Sequence, residues 1–211
     1  MEEARVRMTG QERRAQLLDV GREVFAAVGY EAASIEEIAK RARITKPVVY
    51  EHFGGKEGLY AVVVDREVRA LVEGITRSLE GGHPRALVEQ AALALLTYIE
   101  EEPDGFKVLL RDSPFAGAHG TLASVIGDIA DQVEHILANE FKTRGFDPKL
   151  SPIYSRALVG MVVLVGQWWL DVGKPKREVV AAHLVNLAWN GLKDLQPGPV
   201  SLTSPTARAA P

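Results

Sequence analysis

The chain has 211 residues, 46% apolar and 25% charged, the composition of an ordinary globular protein large enough for one or two small domains. It has no cysteine, which excludes disulfides, thiol redox sensing and cysteine-ligated zinc. Its net charge of −3 supplies no overall basic field, so contact with nucleic acid has to rest on a local face.

The N-terminus, MEEARVRMTGQERR, is charged and lacks the apolar core of a signal peptide. Residues 1–9 are expected to be disordered, with Thr9 placed as an N-cap. A first helix is expected over about 10–28, with Leu17, Leu18, Gly21, Val24, Phe25 and Val28 on one stripe and Gly29 as its stop. Ser34 and Glu37 have the spacing of a capping box, which starts a short helix with Ile35, Ile38, Ala39 and Ala42 inside and Glu36, Lys40 and Arg41 in water. A second short helix begins at the N-cap Thr45 and tolerates Pro47 in its first turn. Val49 and Phe53 face inward toward Ile38, Ile44 and Phe25, while Pro47 and Glu51 point most directly outward, with Val48 and Tyr50 on the flanks. Gly54-Gly55 ends this helix and Lys56 opens the next.

Two short capped helices across a tight turn, with a long one directly after them, form a helix-turn-helix whose second member lies in the DNA major groove. Between Lys40 and Lys46 there are four basic residues (Lys40, Arg41, Arg43, Lys46) and no acidic one, placed across the turn itself. Arg5, Arg7, Arg13 and Arg14 form a second basic group. In this geometry Lys46 is the best base-edge donor, toward guanine; Pro47 and Val48 offer apolar contact to thymine, and Glu51 can accept from a cytosine amino group.

The fourth helix, about 56–80, carries Leu59, Val63, Val68, Leu71, Val72, Ile75 and Leu79 and stops at Gly81-Gly82. A fifth spans about 84–101 with Leu87, Ala91, Leu95 and Tyr98; Pro103 breaks it, and a short helix over 104–112 ends at Ser113-Pro114. A seventh, about 118–144, presents Leu122, Val125, Ile129, Val133 and Ile136. The helix over about 149–172 is apolar on every side at its centre, so it has to be covered all round. Its fully apolar run, Ala157 to Gly166, is about half of the ~20 residues a membrane span needs. The last helix, about 176–195, shows Val180, Leu184, Leu187, Gly191 and Leu195 on one stripe with Trp189 beside it. The tail QPGPVSLTSPTARAAP is expected to be disordered. No strand-like alternation persists, which makes the chain all-α.

The block Arg13–Tyr60, with SIEEIAKRA, RIT, KPVVYEHF and KEGL in order, resembles the DNA-binding domain of the TetR family of bacterial transcriptional regulators. It departs from the family's usual Gly and Thr at Pro47 and Val48, so contact from Val48 should be apolar. The resemblance implies phosphate contacts by Ser34, Thr45, Tyr50, His52 and Lys56. It also implies a homodimer through the last two helices, which binds a palindromic operator as a repressor. The implied organisation is a helix-turn-helix domain over 10–55, a helical ligand-binding and dimerisation domain over 56–195, and a disordered tail over 196–211.

The middle helices are rich in Leu, Val, Ile and Ala, which suits a mostly apolar effector cavity. Its candidate wall is Tyr98, Phe106, Leu110, Phe115, Val125, Ile129 and Trp168, with Arg111 as anchor for an acidic head group. The stretch ALVGMVVLVGQWWLDVGKP followed by HLVNLAWNGL is similar to actinobacterial members of the family that sense fatty acyl compounds, so such a compound is one candidate effector.

The five histidines are widely separated and no metal, nucleophile-elbow or phosphate-loop spacing occurs, so neither a metal site, a cofactor nor an enzyme is expected. The cytoplasm is the expected location. The alternative is a helical protein-interaction module that keeps the motif without reading DNA. Binding to pooled genomic DNA at varied salt separates the two, because only a DNA reader enriches a palindrome and weakens steeply with salt.

Overall fold

The computed structural model describes residues 8–79, 81, 83–110 and 122–196, and these are helical nearly throughout. The helices are α1 (Gly10–Ala32), α2 (Ile35–Arg41), α3 (Lys46–Phe53), α4 (Lys56–Ser78), α5 (Pro84–Glu101), α6 (Pro103–Leu110), α7 (Leu122–Thr143), α8 (Ser151–Val172, entered through the 3-10 turn Pro148–Leu150) and α9 (Arg177–Lys193). No strand occurs among the described residues. The all-α class and the order of helices are those expected, with ends shifted by a few residues. The expected disorder of the first residues and of the tail concerns positions outside the described residues, apart from Met8, Thr9 and Gln196.

Local chemistry accounts for the boundaries. At α1 the Thr9 side chain accepts from the Glu12 backbone and Glu12 returns a bond of 2.7 Å to the Thr9 N–H, a complete capping box. Gly29, at φ 79, kinks α1 where the sequence places its end, and one more turn continues to Ala32.

The head is a three-helix unit closed over one small core, in which Leu17, Ile38, Val49 and Leu59 are fully buried and Phe25 nearly so. Ile44 and Phe53 pack against it from the rim. Val28, expected on the inner stripe of α1, is half exposed instead, because it falls beyond the last inward turn before the kink. Behind the head, α4 runs into the body, where α5 packs against α4 and α9, and α7 lies along α8. α1 reaches past the head as well and packs on α6.

That α1–α4–α6 junction has a polar centre. Glu67 of α4 is 2% exposed. Its carboxylate accepts from the Tyr98 hydroxyl of α5 at 2.9 Å and from Arg66 Nε at 3.1 Å, and Arg22 Nη1 of α1 lies 3.7 Å away. Arg22 also pairs with Glu102, and Arg66 with Asp19 of α1 at 2.8 Å. Burial pulls the Arg22 guanidinium down, but the charges of Glu67 and Glu102 outweigh it and hold it above its ordinary range. Burial first, then the Glu67 carboxylate, pushes the Tyr98 phenol far up, so it stays a neutral donor. Gly105 is what lets α6 close on this group: a Cβ there would lie 2.2 Å from Glu67 Oε2 and 2.6 Å from the Tyr98 hydroxyl.

The body has an open side. On α8, Ile153, Leu164, Trp168 and Val172 are exposed at intervals of whole turns, and on α9 Val179 and Leu187 are exposed too. By length and composition, Pro148–Val172 is long and apolar enough to cross a membrane, with little of it buried within the protomer. Its Arg156, however, pairs with Asp131 and Glu134 of α7, and α8 packs on α7 and α5. Gly166 admits α5 within the same protomer, since a Cβ there would meet Ile99 Cδ1 at 2.8 Å, whereas Gly160 faces open space.

Removing the Glu67 carboxylate leaves two guanidinium groups and a phenol without their common acceptor. Glu67→Ala should therefore lower stability by about 3 kcal/mol, the low end for a broken buried pair because both arginines keep some solvent contact. Tyr98→Phe, which removes one donor, should cost only about 1 kcal/mol. Urea midpoints of the two variants give the order directly.

Candidate nucleic-acid interface

α2 and α3 meet at a turn whose geometry is set residue by residue. Ser34 caps α2, accepting from the Glu37 N–H at 3.1 Å. The expected return bond from Glu37 is replaced: its carboxylate accepts from Arg41 Nε at 2.7 Å, one turn along, and that bond lowers the Glu37 carboxyl below its usual range. The capping box expected there is thus half made. At the turn, Arg43 sits at φ 56 in the left-handed region, the one non-glycine residue with positive φ among the described residues. For an Arg this costs about 1 kcal/mol, and no sequence rule pointed to it. Thr45 has the extended backbone of an N-cap, φ −95 and ψ 152, yet its hydroxyl makes no capping bond and is exposed. Capping by the Thr45 side chain was expected and does not form.

α3 presents the outer face read from the sequence. Lys46, Pro47, Tyr50 and Glu51 are exposed, Val48 and His52 half-buried, and Val49 holds the helix to the core. The Lys46 ammonium pairs with the Glu36 carboxylate of α2. Gly54 closes the helix, its N–H bonded to the Tyr50 carbonyl at 2.8 Å. Gly58 then brings α4 in so tightly that a Cβ would stand 1.9 Å from the Phe53 carbonyl oxygen.

Two of the expected cations are committed elsewhere. Arg14 donates to the His52 carbonyl at 2.9 Å and covers the Phe53 ring at 4.5 Å, so it ties α1 to the end of α3. Lys56 was expected at a phosphate. Its ammonium instead donates to the carbonyls of Tyr30 at 2.9 Å, Ala33 at 3.1 Å and Glu31 at 3.3 Å, and lies 4.4 Å from the centre of the Tyr30 ring. Three bonds use all three ammonium protons, so Lys56 has none left for a phosphate. Arg5 and Arg7 lie outside the described residues.

The expected cavity wall is only partly assembled. Tyr98 is spent on Glu67, and Phe106 is fully buried in the core beside it. Trp168 is 52% exposed on the open side of α8, which takes it off the wall, because its neighbour Trp169 turns inward and bonds the Pro175 carbonyl at 2.7 Å. Leu110 and Ile129 are half-buried. Arg111, Phe115 and the side chain of Val125 lie outside the described residues.

A scaffold helix that holds a short helix with a wet outer face, joined by a long helix to a separate helical body, defines a helix-turn-helix DNA-binding transcriptional regulator. Residues 17–63 match the bacterial regulatory proteins of the tetR family, and residues 84–191 match a tetracyclin repressor-like C-terminal domain. The chain belongs to the TetR family. It is 30% identical over 192 residues to the HTH-type transcriptional activator FasR of Mycolicibacterium smegmatis, covering 88% of this chain and 85% of that one. A TetR-like transcriptional regulator from Rhodococcus sp. RHA1 superposes with a TM-score of 0.76 at 26% identity, over 90% of this chain and all of that one. The fatty acid degradation regulator FadR from Bacillus halodurans shares the fold, with a TM-score of 0.67 at 18% identity over 86% of this chain and 96% of its own. These relatives are transcriptional regulators and not enzymes.

The placement of Lys56 makes it a C-terminal cap for α1. Lys56→Met should lower thermal stability by about 1–2 kcal/mol and leave the salt dependence of DNA binding unchanged. A slope shallower by about 0.9 would return Lys56 to the phosphates.

Proposed function

We propose that the protein binds a palindromic DNA operator as a homodimer and leaves it when a hydrophobic small molecule occupies the body. The observation that carries the DNA half is the outer face of α3, where Lys46, Pro47, Tyr50 and Glu51 are exposed and Val48 is half-buried, while Val49 and Phe53 hold the helix to the core. Lys46, Pro47, Val48 and Glu51 are the base-facing residues of this reading. Ser34, Thr45, Tyr50 and His52 are its phosphate contacts, with the uncapped Thr45 hydroxyl free to donate. Lys46→Ala should cost ~1–3 kcal/mol and relax preference at one base position; equal weakening on every sequence would reduce Lys46 to a phosphate contact. Tyr50→Phe should weaken binding to all sequences alike, because it removes a hydroxyl and keeps the ring.

The dimer reading is supported by the open side of α8 and α9. Two recognition helices about 34 Å apart are needed to enter successive major grooves, and a two-fold four-helix contact through these helices would cover Leu164, Trp168 and Leu187. Leu164 and Leu187 are each 66% exposed in the protomer, so an arginine there need not disturb folding. Leu187→Arg and Leu164→Arg should give folded monomers by sedimentation and lose operator affinity by at least 100-fold, on the order of 3 kcal/mol. Variants that stay dimeric and operator-bound would place the interface elsewhere.

The effector reading is supported by the apolar side chains of α6 and α7, where Leu110 and Ile129 are half-buried, and FadR, a regulator of fatty acid degradation by its name, is consistent with it. A ligand shifts operator affinity only as far as it prefers one arrangement of the dimer, and α4 is the lever that joins body to head. Repression results if the operator overlaps a promoter; a site placed upstream can activate instead, and FasR is called an activator by its name. The test is titration of long-chain fatty acids, acyl thioesters and bulky aromatic compounds against the operator complex. Release by a small hydrophilic metabolite alone would overturn the apolar cavity.

A further inference from the structure

Besides Glu51, a second acidic residue stands on the DNA-facing side of the head. Glu36 lies in the first turn of α2, and its carboxylate reaches across to the ammonium of Lys46, the first residue of α3. The hydrogen bond from Lys46 holds the Glu36 carboxyl below its usual range, so it is ionised at neutral pH. Both side chains are at least half exposed, and no packing requires them to meet. This pair stands beside the end of α3 that helix-turn-helix geometry brings to the base edges.

An unpaired lysine there would be a compact point charge satisfied by any backbone phosphate, which adds affinity without information. Glu36 changes that balance in two ways. It already supplies an acceptor for Lys46, so a phosphate has to displace it. It also brings a negative charge toward a negatively charged duplex, where an unmatched carboxylate is repelled. One arrangement satisfies both groups: a G·C pair, on which Lys46 donates to guanine O6 and N7 while Glu36 accepts from the cytosine amino group.

We propose that Glu36 is a specificity-determining residue, which restrains Lys46 and penalises duplexes that offer no amino donor in register. Specificity is a difference of affinities, and Glu36 acts mainly on the wrong sequences. This inference rests on α3 being a DNA-reading helix.

The experiment compares wild type, Glu36→Gln and Glu36→Ala on the selected operator and on a scrambled duplex of equal length, across a salt series. Both variants should bind the scrambled duplex about five- to tenfold tighter, with the operator-to-scrambled ratio falling by a similar factor. The non-specific salt slope should steepen by about 0.9 as Lys46 gains a phosphate. In a Lys46→Ala background the Glu36 substitution should no longer steepen the non-specific salt slope and should keep only the part of its effect on the ratio that comes from repulsion of the carboxylate. Because Glu36 is exposed, circular dichroism should show the fold unchanged. An unchanged ratio, with wild type still preferring its operator, overturns the proposal and leaves the regulator reading intact. A wild type with no preference for any duplex removes both.

Discussion

The buried carboxylate of Glu67 is the interaction on which the arrangement of head and body depends. Taking a carboxylate out of water is costly unless several donors converge on it, and here they come from different helices: Arg22 from α1, Arg66 from α4 itself and Tyr98 from α5. Glu102, at the start of α6, and Asp19, on α1, then take up the remaining faces of the two arginines. An apolar contact among the same helices could slide by a fraction of a turn at small cost. A charged group with fixed acceptors and donors cannot, because each shift leaves a buried polar atom unmatched. Arg22 Nε and Arg66 Nη2 already lack hydrogen-bond partners, so the cluster has few alternatives of similar energy.

This position matters for a switch. α4 alone would make the head a weight on a single rod, free to twist about it. The contact of α1 with α6 through the Glu67 group gives the head a second attachment, so movement of α6 relative to α4 acts on the head at two points. Gly105 sets how close that attachment can come.

The sequence made the head legible and left the junction hidden, for physical reasons. Caps, helical periodicity and a Gly-Gly stop are local signals, and they suffice for α1 to α4 and for the inward positions of Ile38, Val49 and Phe53. Glu67 gave no such signal: it is a carboxylate among the apolar residues of α4, and its partners Arg22 and Tyr98, like the Glu102 that also pairs with Arg22, stand tens of residues away in the chain. Lys56 misled because a lysine at a helix start fits a phosphate as well as it fits three carbonyls, and only the kinked end of α1 decides between them. Arg43 was invisible because a left-handed turn ordinarily announces itself with glycine. Trp168 and Trp169 show the limit of pattern on a helix apolar all round, where periodicity cannot say which of two neighbours faces in.

The bonds that close the head have a consequence for how a genome can use it. Lys56 fastens the start of α4 to the end of α1, Arg14 fastens α1 to the end of α3, and Gly58 presses α4 against Phe53. A unit tied at three corners travels whole. On the proposed reading, an effector held by the body would change where each reading surface stands and not what it reads. It would lower the affinity of every site, strong or weak, by the same factor, so the weakest sites would empty first. The order in which genes respond is therefore written in the DNA, through the affinity of each site, rather than in the protein.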